Sequence, residues 1–251
     1  MIHFVGAGSG APDLITVRGQ RLLQQADVII YAGSLVNPAL LDNAKAGCEI
    51  YDSAKMTLEH VLEVMTAAEK QGKTTVRLHT GDPSIYGAIR EQMDLLDEAG
   101  FDYDITPGVS SFCGAAAALK AEYTLPDVSQ TVIITRMAGR TPVPEKEEIS
   151  LLASHGATMA IFLSAGMLEQ LRERLLKGGY TENTPAAIVY KATWPDEKQV
   201  IGTVGTLPQM AKEHGISKTA LILVGCFLGD KYERSKLYDP AFTTEFRKAT
   251  K

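Results

Sequence analysis

Short apolar runs separated by stretches of helical period constrain this chain more than any other feature. Ile2-His3-Phe4-Val5 reads as a buried strand and Val28-Ile29-Ile30-Tyr31 as a second. Residues 48–51 make a third, Thr75-Val76-Arg77-Leu78-His79 a fourth and residues 103–106 a fifth. The first two runs are mostly apolar, as expected of strands covered on both faces. Helices are expected between them, at about 14–25 and at 57–71, with another ending near Gly100. In 57–71 the residues Leu58, Val61, Leu62, Met65 and Ala68 recur on one helical face. Strand and helix in alternation predict an α/β fold with a mostly parallel sheet and helices on both sides.

The chain then changes character. Residues 110–119 are small, alanine-rich and helix-capable, and Pro126-Asp127 breaks the run. A second series follows, with strands expected at 131–135, 158–163, 186–190, 199–204 and 220–225 and helices at 167–177 and 207–214. The strands on either side of WPDEK lie close enough in sequence for a hairpin, so the second sheet is expected to be mixed. A chain of 251 residues has length for two cores. The expected division is an N-terminal α/β domain, 1–115, and a C-terminal α/β domain, 116–251.

The first strand runs into GAGSGAPD, where Gly6, Gly8 and Ala11 match the dinucleotide-binding spacing. That motif requires a helix opening at the glycines and an acidic residue about 20 positions on. Pro12 would fall inside such a helix, and proline is tolerated only in a helix's first turn. The second strand ends Ile30-Tyr31-Ala32-Gly33-Ser34, with no carboxylate. A nicotinamide or flavin site is therefore not expected. TGDPSIYG, at 80–87, follows the fourth strand, and TPGVSS, at 106–111, ends the fifth. Asp82 suits either a ligand loop or the cap of the next helix, and Ser110 and Ser111 suit either role too. Three glycine loops at carboxyl strand ends would line one cleft, where open α/β sheets bind ligands.

The formal net charge of −5 gives no electrostatic support to nucleic-acid binding. Cys48, Cys113 and Cys226 are scattered and form no C-x-x-C, which fits a reducing cytoplasm. The five histidines show no metal-ligand spacing, so no protein-bound metal is expected. No apolar run approaches membrane-spanning length, and Met1 leads directly into a strand-like run, so neither a membrane partner nor a leader is expected.

GAGSGAPDLITVRG, TGDPSIYG and TPGVSS together resemble the tetrapyrrole methylases, which transfer methyl groups from S-adenosylmethionine to corrin and sirohaem precursors. The likeness covers nearly the whole chain. IYAGSLV, TRMAGRTPVP, VYKATWPDEK and RSKLYD resemble the branch that methylates C11 of precorrin-4 or cobalt-precorrin-4 in cobalamin synthesis. The sequence departs from the family at Ser9, where proline is usual, and at Ala32-Gly33-Ser34, where uroporphyrinogen-methylating relatives carry an acidic residue. The second departure argues against uroporphyrinogen III as substrate and removes any base there.

The resemblance implies the tetrapyrrole methylase fold, two α/β domains with the methyl donor in the cleft between them, usually in a homodimer. It assigns the donor to Gly81, Asp82 and Ile85, to Ser110 and Ser111, and to Leu163, Tyr190, Thr219 and Ala220. Pro12 matches the first loop, beside the substrate trough. The implied reaction is in-line methyl transfer, yielding S-adenosylhomocysteine. Alignment alone supplies roughly 7–11 kcal/mol to such a step, so the lack of a catalytic triad or paired carboxylates does not weigh against an enzyme. No base is identified. The tetrapyrrole substrate carries many carboxylates. Arg18, Lys55, Arg136, Arg140 and Lys191 are the candidate partners, with Ser34 beside them, and the two-pronged guanidinium favours Arg136 and Arg140. Trp194 suits either macrocycle packing or a structural turn. Two alternatives stay open: methylation of another ring position or substrate, and a nucleotide-binding module without catalysis.

Overall fold

The computed structural model describes residues 1–250. They divide into two compact units, one of residues 1–117 with 191–197 and one of 118–190 with 198–250.

In the first unit the strands are β1 (Ile2–Gly6), β2 (Val28–Tyr31), β3 (Glu49–Asp52), β4 (Thr75–His79) and β5 (Tyr103–Thr106). They form one sheet in the order β3-β2-β4-β1-β5. Every pair in it is parallel. The central strands β2, β4 and β1 are largely buried because both faces are covered. Val5, Ile29, Val76 and Leu78 pack with Leu23 on one side. Ile2, Phe4 and Ile30 pack with Val61, Met65 and Leu96 on the other. The covering helices are α1 (Val17–Gln25), α2 (Leu58–Lys70) and α3 (Arg90–Glu98), and α4 (Ser111–Leu119) follows the loop after β5.

Pro12 lies in a 3-10 turn, Pro12–Leu14, and α1 starts only at Val17, where the Thr16 hydroxyl accepts from the Gly19 N–H (3.1 Å). The glycine loop therefore opens no helix, as the proline requires. Thr57 caps α2 in the same way, and Gly72 at φ +70° ends it.

The second unit holds β6 (Val132–Arg136), β7 (Thr158–Phe162), β8 (Pro185–Tyr190), β9 (Lys198–Thr203) and β10 (Ala220–Val224). Their order is β6-β7-β10-β8-β9. The β6–β7 pair is parallel, while β10 runs antiparallel to β7 and β8, and β8–β9 is the expected hairpin. The sheet is mixed. Ile161, Ile188 and Ile222 pack beneath α6 (Leu168–Lys177) and α7 (Leu207–Glu213) through Leu171, Leu175 and Met210. A short helix at Ile149–Ala153, α5, falls where the sequence suggested none. The RSKLYD stretch lies in an exposed C-terminal segment, where the Arg247 guanidinium donates to the carbonyls of Leu237 and Asp239 (3.0 and 2.6 Å).

β4 also carries His79, 3% exposed, stacked on Phe4 with ring centroids 6.1 Å apart. Its Nε2 is buried without a partner. Burial, with the Arg77 charge beside it, pushes its pKa down to about 3. The folded chain therefore refuses a proton that the unfolded chain takes up below about pH 6.5. Stability is full above that pH and drains as pH falls toward 3, by on the order of 2–4 kcal/mol. Replacing His79 with Phe is expected to flatten the urea-stability profile between pH 6.5 and 3; a profile as steep as that of the parent would contradict this origin of acid sensitivity.

Candidate functional site

β1 lies between β4 and β5, so the loops leaving the carboxyl ends of these three parallel strands sit side by side. They meet backbone to backbone. Gly8 and Gly81 exchange both hydrogen bonds of an antiparallel bridge (3.2 and 3.0 Å), and the Ala7 N–H donates to the His79 carbonyl (2.7 Å). A Cβ on Gly108 would stand 2.1 Å from the Gly81 carbonyl oxygen, and one on Gly6 would stand 2.5 Å from the Gly108 Cα. No side chain fits at either position, which is the physical reason for glycine there.

Asp82 locks two of these loops together. Its Oδ1 accepts from the Ser84 N–H (2.9 Å) and hydroxyl, and its Oδ2 accepts from the Gly108 N–H (2.8 Å). Burial raises its pKa, but these hydrogen bonds outweigh that and hold it below the usual carboxylate range. Asp82 is not the cap of the following helix: α3 begins at Arg90, and its first turn has no side-chain cap. Ser110 is buried, and its carbonyl accepts the Gly114 N–H (3.2 Å) at the start of α4. Ser111, the first residue of α4, and Ile85, in the loop after β4, are half-buried.

The first loop is seated by residues 191–197 of the same unit. The Thr193 hydroxyl meets Ser9 Oγ (3.1 Å) and accepts from the Ala11 N–H (3.0 Å). Trp194 packs so tightly on Gly10 that a Cβ there would stand 2.1 Å from the indole. Trp194 thus has a structural role at this turn. Lys191 pairs with Asp196 (2.7 Å) and lies over the Trp194 ring (5.2 Å). Pro12 is half-buried. Ser34 is exposed in a 3-10 turn at the end of β2, and Arg18 is exposed on α1. Lys55 lines an open depression of about 470 Å³ with Tyr31, Tyr51, Met56 and His60, at the carboxyl ends of β2 and β3.

In the second unit the carried-over residues collect on one sheet edge. Arg136 pairs with Phe162 in register, so Leu163 leaves β7 beside the end of β6. Ala220 pairs with Tyr190, so Thr219 enters β10 beside the end of β8. Leu163 is left-handed at φ +53° and 66% exposed, and Thr219 has φ +55°. Such conformations cost of order 1–3 kcal/mol each and gather where a chain must present a surface. Arg136 donates to the carbonyls of Met137, Thr141 and Pro142 (3.1, 3.2 and 2.7 Å), bracing the turn that carries the exposed Arg140.

The sequence pointed to the three loops. It did not reveal that Asp82 joins two of them, nor that Thr193 and Trp194 seat the third, because these partners are distant in sequence. Among the described residues no group of three or more His, Cys, Asp or Glu side chains could hold a metal ion.

The family model of tetrapyrrole (corrin/porphyrin) methylases matches residues 1–208. A cobalt-precorrin-4 C(11)-methyltransferase of Methanocaldococcus jannaschii is 57% identical over all of this chain and 97% of its own length. A precorrin-4 C(11)-methyltransferase of Pseudomonas aeruginosa is 46% identical over 94% of each chain. The X-ray structure of a cobalamin biosynthetic enzyme, cobalt precorrin-4 methyltransferase, superposes with a TM-score of 0.89 at 50% identity, covering 91% of this chain and 96% of that one.

Removing the Asp82 carboxylate in Asp82→Ala leaves the Ser84 and Gly108 amides without their acceptor. Stability is expected to fall by about 1–3 kcal/mol, with faster amide exchange at Gly108 and none of the change in α3. Faster exchange in α3 with Gly108 unaffected would restore the helix-cap role.

Proposed function

Because the chain belongs to the tetrapyrrole (corrin/porphyrin) methylases, we propose that it methylates C11 of cobalt-precorrin-4 with S-adenosylmethionine, in cobalamin (vitamin B12) biosynthesis. The observation that carries this reading is the 57% identity, over the full chain, to a relative bearing that activity's name. The relative named for the metal-free substrate is less similar, at 46%. Cobalt would enter inside the substrate, so the protein needs no ligands for it.

The residues fit such a donor. The three loops offer backbone amides and carbonyls with no side-chain bulk between them, and the glycines stand where any Cβ would collide. We assign donor binding to Gly81, Asp82, Ile85, Ser110 and Ser111 in the first unit, with Pro12 on the bordering loop. In the second unit the assignment takes in Leu163, Tyr190, Thr219 and Ala220. The ionised Asp82 holds the loops and adds negative charge near a cationic sulfonium. The donor brings an already activated methyl group. What falls to the protein is to bind both reactants, align them and exclude water, which is worth roughly 7–11 kcal/mol when the geometry is near attack. Ser34, Lys55, Arg140 and Lys191 are assigned to the substrate side, with Arg136 bracing the loop of Arg140. An exposed arginine suits a carboxylate through two parallel hydrogen bonds.

We further propose that the chain works as a homodimer in the cytoplasm. All three cysteines are unpaired, which agrees with a reducing compartment. Among the described residues no helix is long and apolar enough to cross a membrane.

Anaerobic incubation with S-adenosylmethionine and, separately, cobalt-precorrin-4 and precorrin-4 tests this reading by mass spectrometry and product NMR. One added methyl at C11 of the cobalt form is expected, with slower turnover of the metal-free form. Faster methylation of the metal-free form would reverse the substrate assignment, and methylation at another carbon of either substrate would overturn the C11 assignment.

A further inference from the structure

Arg77 points from the middle of β4 into the core of the first unit and is 6% exposed. Among the described residues no carboxylate pairs with it. Burial lowers its pKa to about 10, so it remains a cation at neutral pH. Its Nη1–H donates to the Ile30 carbonyl of β2 and its Nε–H to Gln92 Oε1 on α3, both at 3.1 Å. Gln92 is 4% exposed. A guanidinium only donates, so the Gln92 oxygen must face it and the Gln92 amide nitrogen must face away. That nitrogen donates to the Ala88 carbonyl at 2.8 Å.

Ala88 is the end of the loop that begins with Gly81 and Asp82. Its φ is +50°, and Tyr86 two residues earlier has φ +56°. Between them, a Cβ on Gly87 would stand 2.1 Å from the Pro83 carbonyl oxygen. The loop is therefore wound against itself, with two non-glycine residues in a region that disfavours side chains. A buried cation and a buried amide are costly to desolvate, and apolar residues of the same size would fill the space without that cost. What the polar pair supplies and apolar residues could not is a fixed direction for the Ala88 carbonyl.

We propose that Arg77 and Gln92 are positioning residues, which hold the Ala88 end of the loop after β4 in its left-handed shape and so set Asp82 and Ile85 for the methyl donor. Arg77 is bonded at the same time to β2, whose carboxyl end leads to Ser34. One cation thus anchors the donor loop to the strand that carries the expected substrate side. The pair touches neither reactant, and this assignment rests on the reading of the loop as donor-binding.

Gln92→Glu separates positioning from folding. It keeps an acceptor for Arg77 and pairs it with a carboxylate, but it loses the N–H that holds Ala88. Three readouts on the intact chain follow: the melting temperature, the 13C shifts of Ala88, and the affinity for S-adenosylhomocysteine by calorimetry. The expected result is a melting temperature within about 2 °C of the parent, Ala88 shifts moved away from left-handed values, and affinity weakened about tenfold. Adding Ala88→Gly, which tolerates positive φ without being held, is expected to recover most of that affinity. Should Gln92→Glu fold poorly, Gln92→Met removes the same N–H together with the Arg77 acceptor, and it is read by the Ala88 shifts and the affinity at a temperature well below its own melting point. Unchanged Ala88 shifts, or moved shifts with unchanged affinity, would overturn the proposal. A parent chain that binds no S-adenosylhomocysteine, with Ala88 still displaced in the variant, would fault the donor reading and leave the positioning role standing.

Discussion

The first unit depends on the contact of three loop backbones at Gly6, Gly81 and Gly108. A parallel sheet delivers its loops to one edge, but it does not by itself bring them together. Here the strand order puts β1 between β4 and β5, and the missing side chains let the three exits close to backbone contact. The Gly8–Gly81 bridge extends sheet-like pairing past the ends of the strands. The carboxylate of Asp82 then fixes the outer loop by accepting from Gly108. Backbone amides aligned in this way are already paid for in folding, and they present a polar surface that need not reorganise when a ligand arrives.

In each unit, taken by itself, loops at strand ends hold conformations that folding alone would avoid. Tyr86 and Ala88 in the first unit, and Leu163 and Thr219 in the second, all have positive φ without being glycine. All four lie in loops at strand ends, not inside regular elements. The buried Arg77–Gln92 network is the matching device within the core, stiff enough to hold one of these turns. The same strand places a neutral, buried His79 beside that cation. β4 therefore carries two ionisable side chains, Arg77 and His79, where a parallel strand would ordinarily carry apolar ones, and both lie just upstream of the loop proposed to bind the donor.

Much of the fold was legible because it rests on local pattern. The limits of β4 and β5 follow from short runs rich in β-branched, aromatic and aliphatic residues ended by glycine or proline, and the WPDEK hairpin from two strands set close in sequence. Pro12 correctly placed the start of α1 beyond the glycines. Helix α5 was missed because it is only five residues long and follows a run of charges. At the site, the loops were legible from their glycines and the resemblance, but their couplings were not. Nothing near Asp82 in sequence names Gly108 as its partner, and Trp194 reads as a lone aromatic until it is found on Gly10. Arg77 in a strand pattern looks like a solvent-facing residue; only the sheet order buries it.

The central claim is that the carboxyl ends of β1, β4 and β5 bind the methyl donor. Glycine-selective 15N labelling, with S-adenosylhomocysteine added stepwise, tests it most directly. Gly8, Gly81 and Gly108 lie in the three loops, whereas Gly47, Gly72 and Gly100 lie in turns that precede β3, β4 and β5. The account predicts that the first three amide signals move together along one saturating curve while the other three stay in place. Movement of Gly47, Gly72 and Gly100 with the loop glycines still would contradict it.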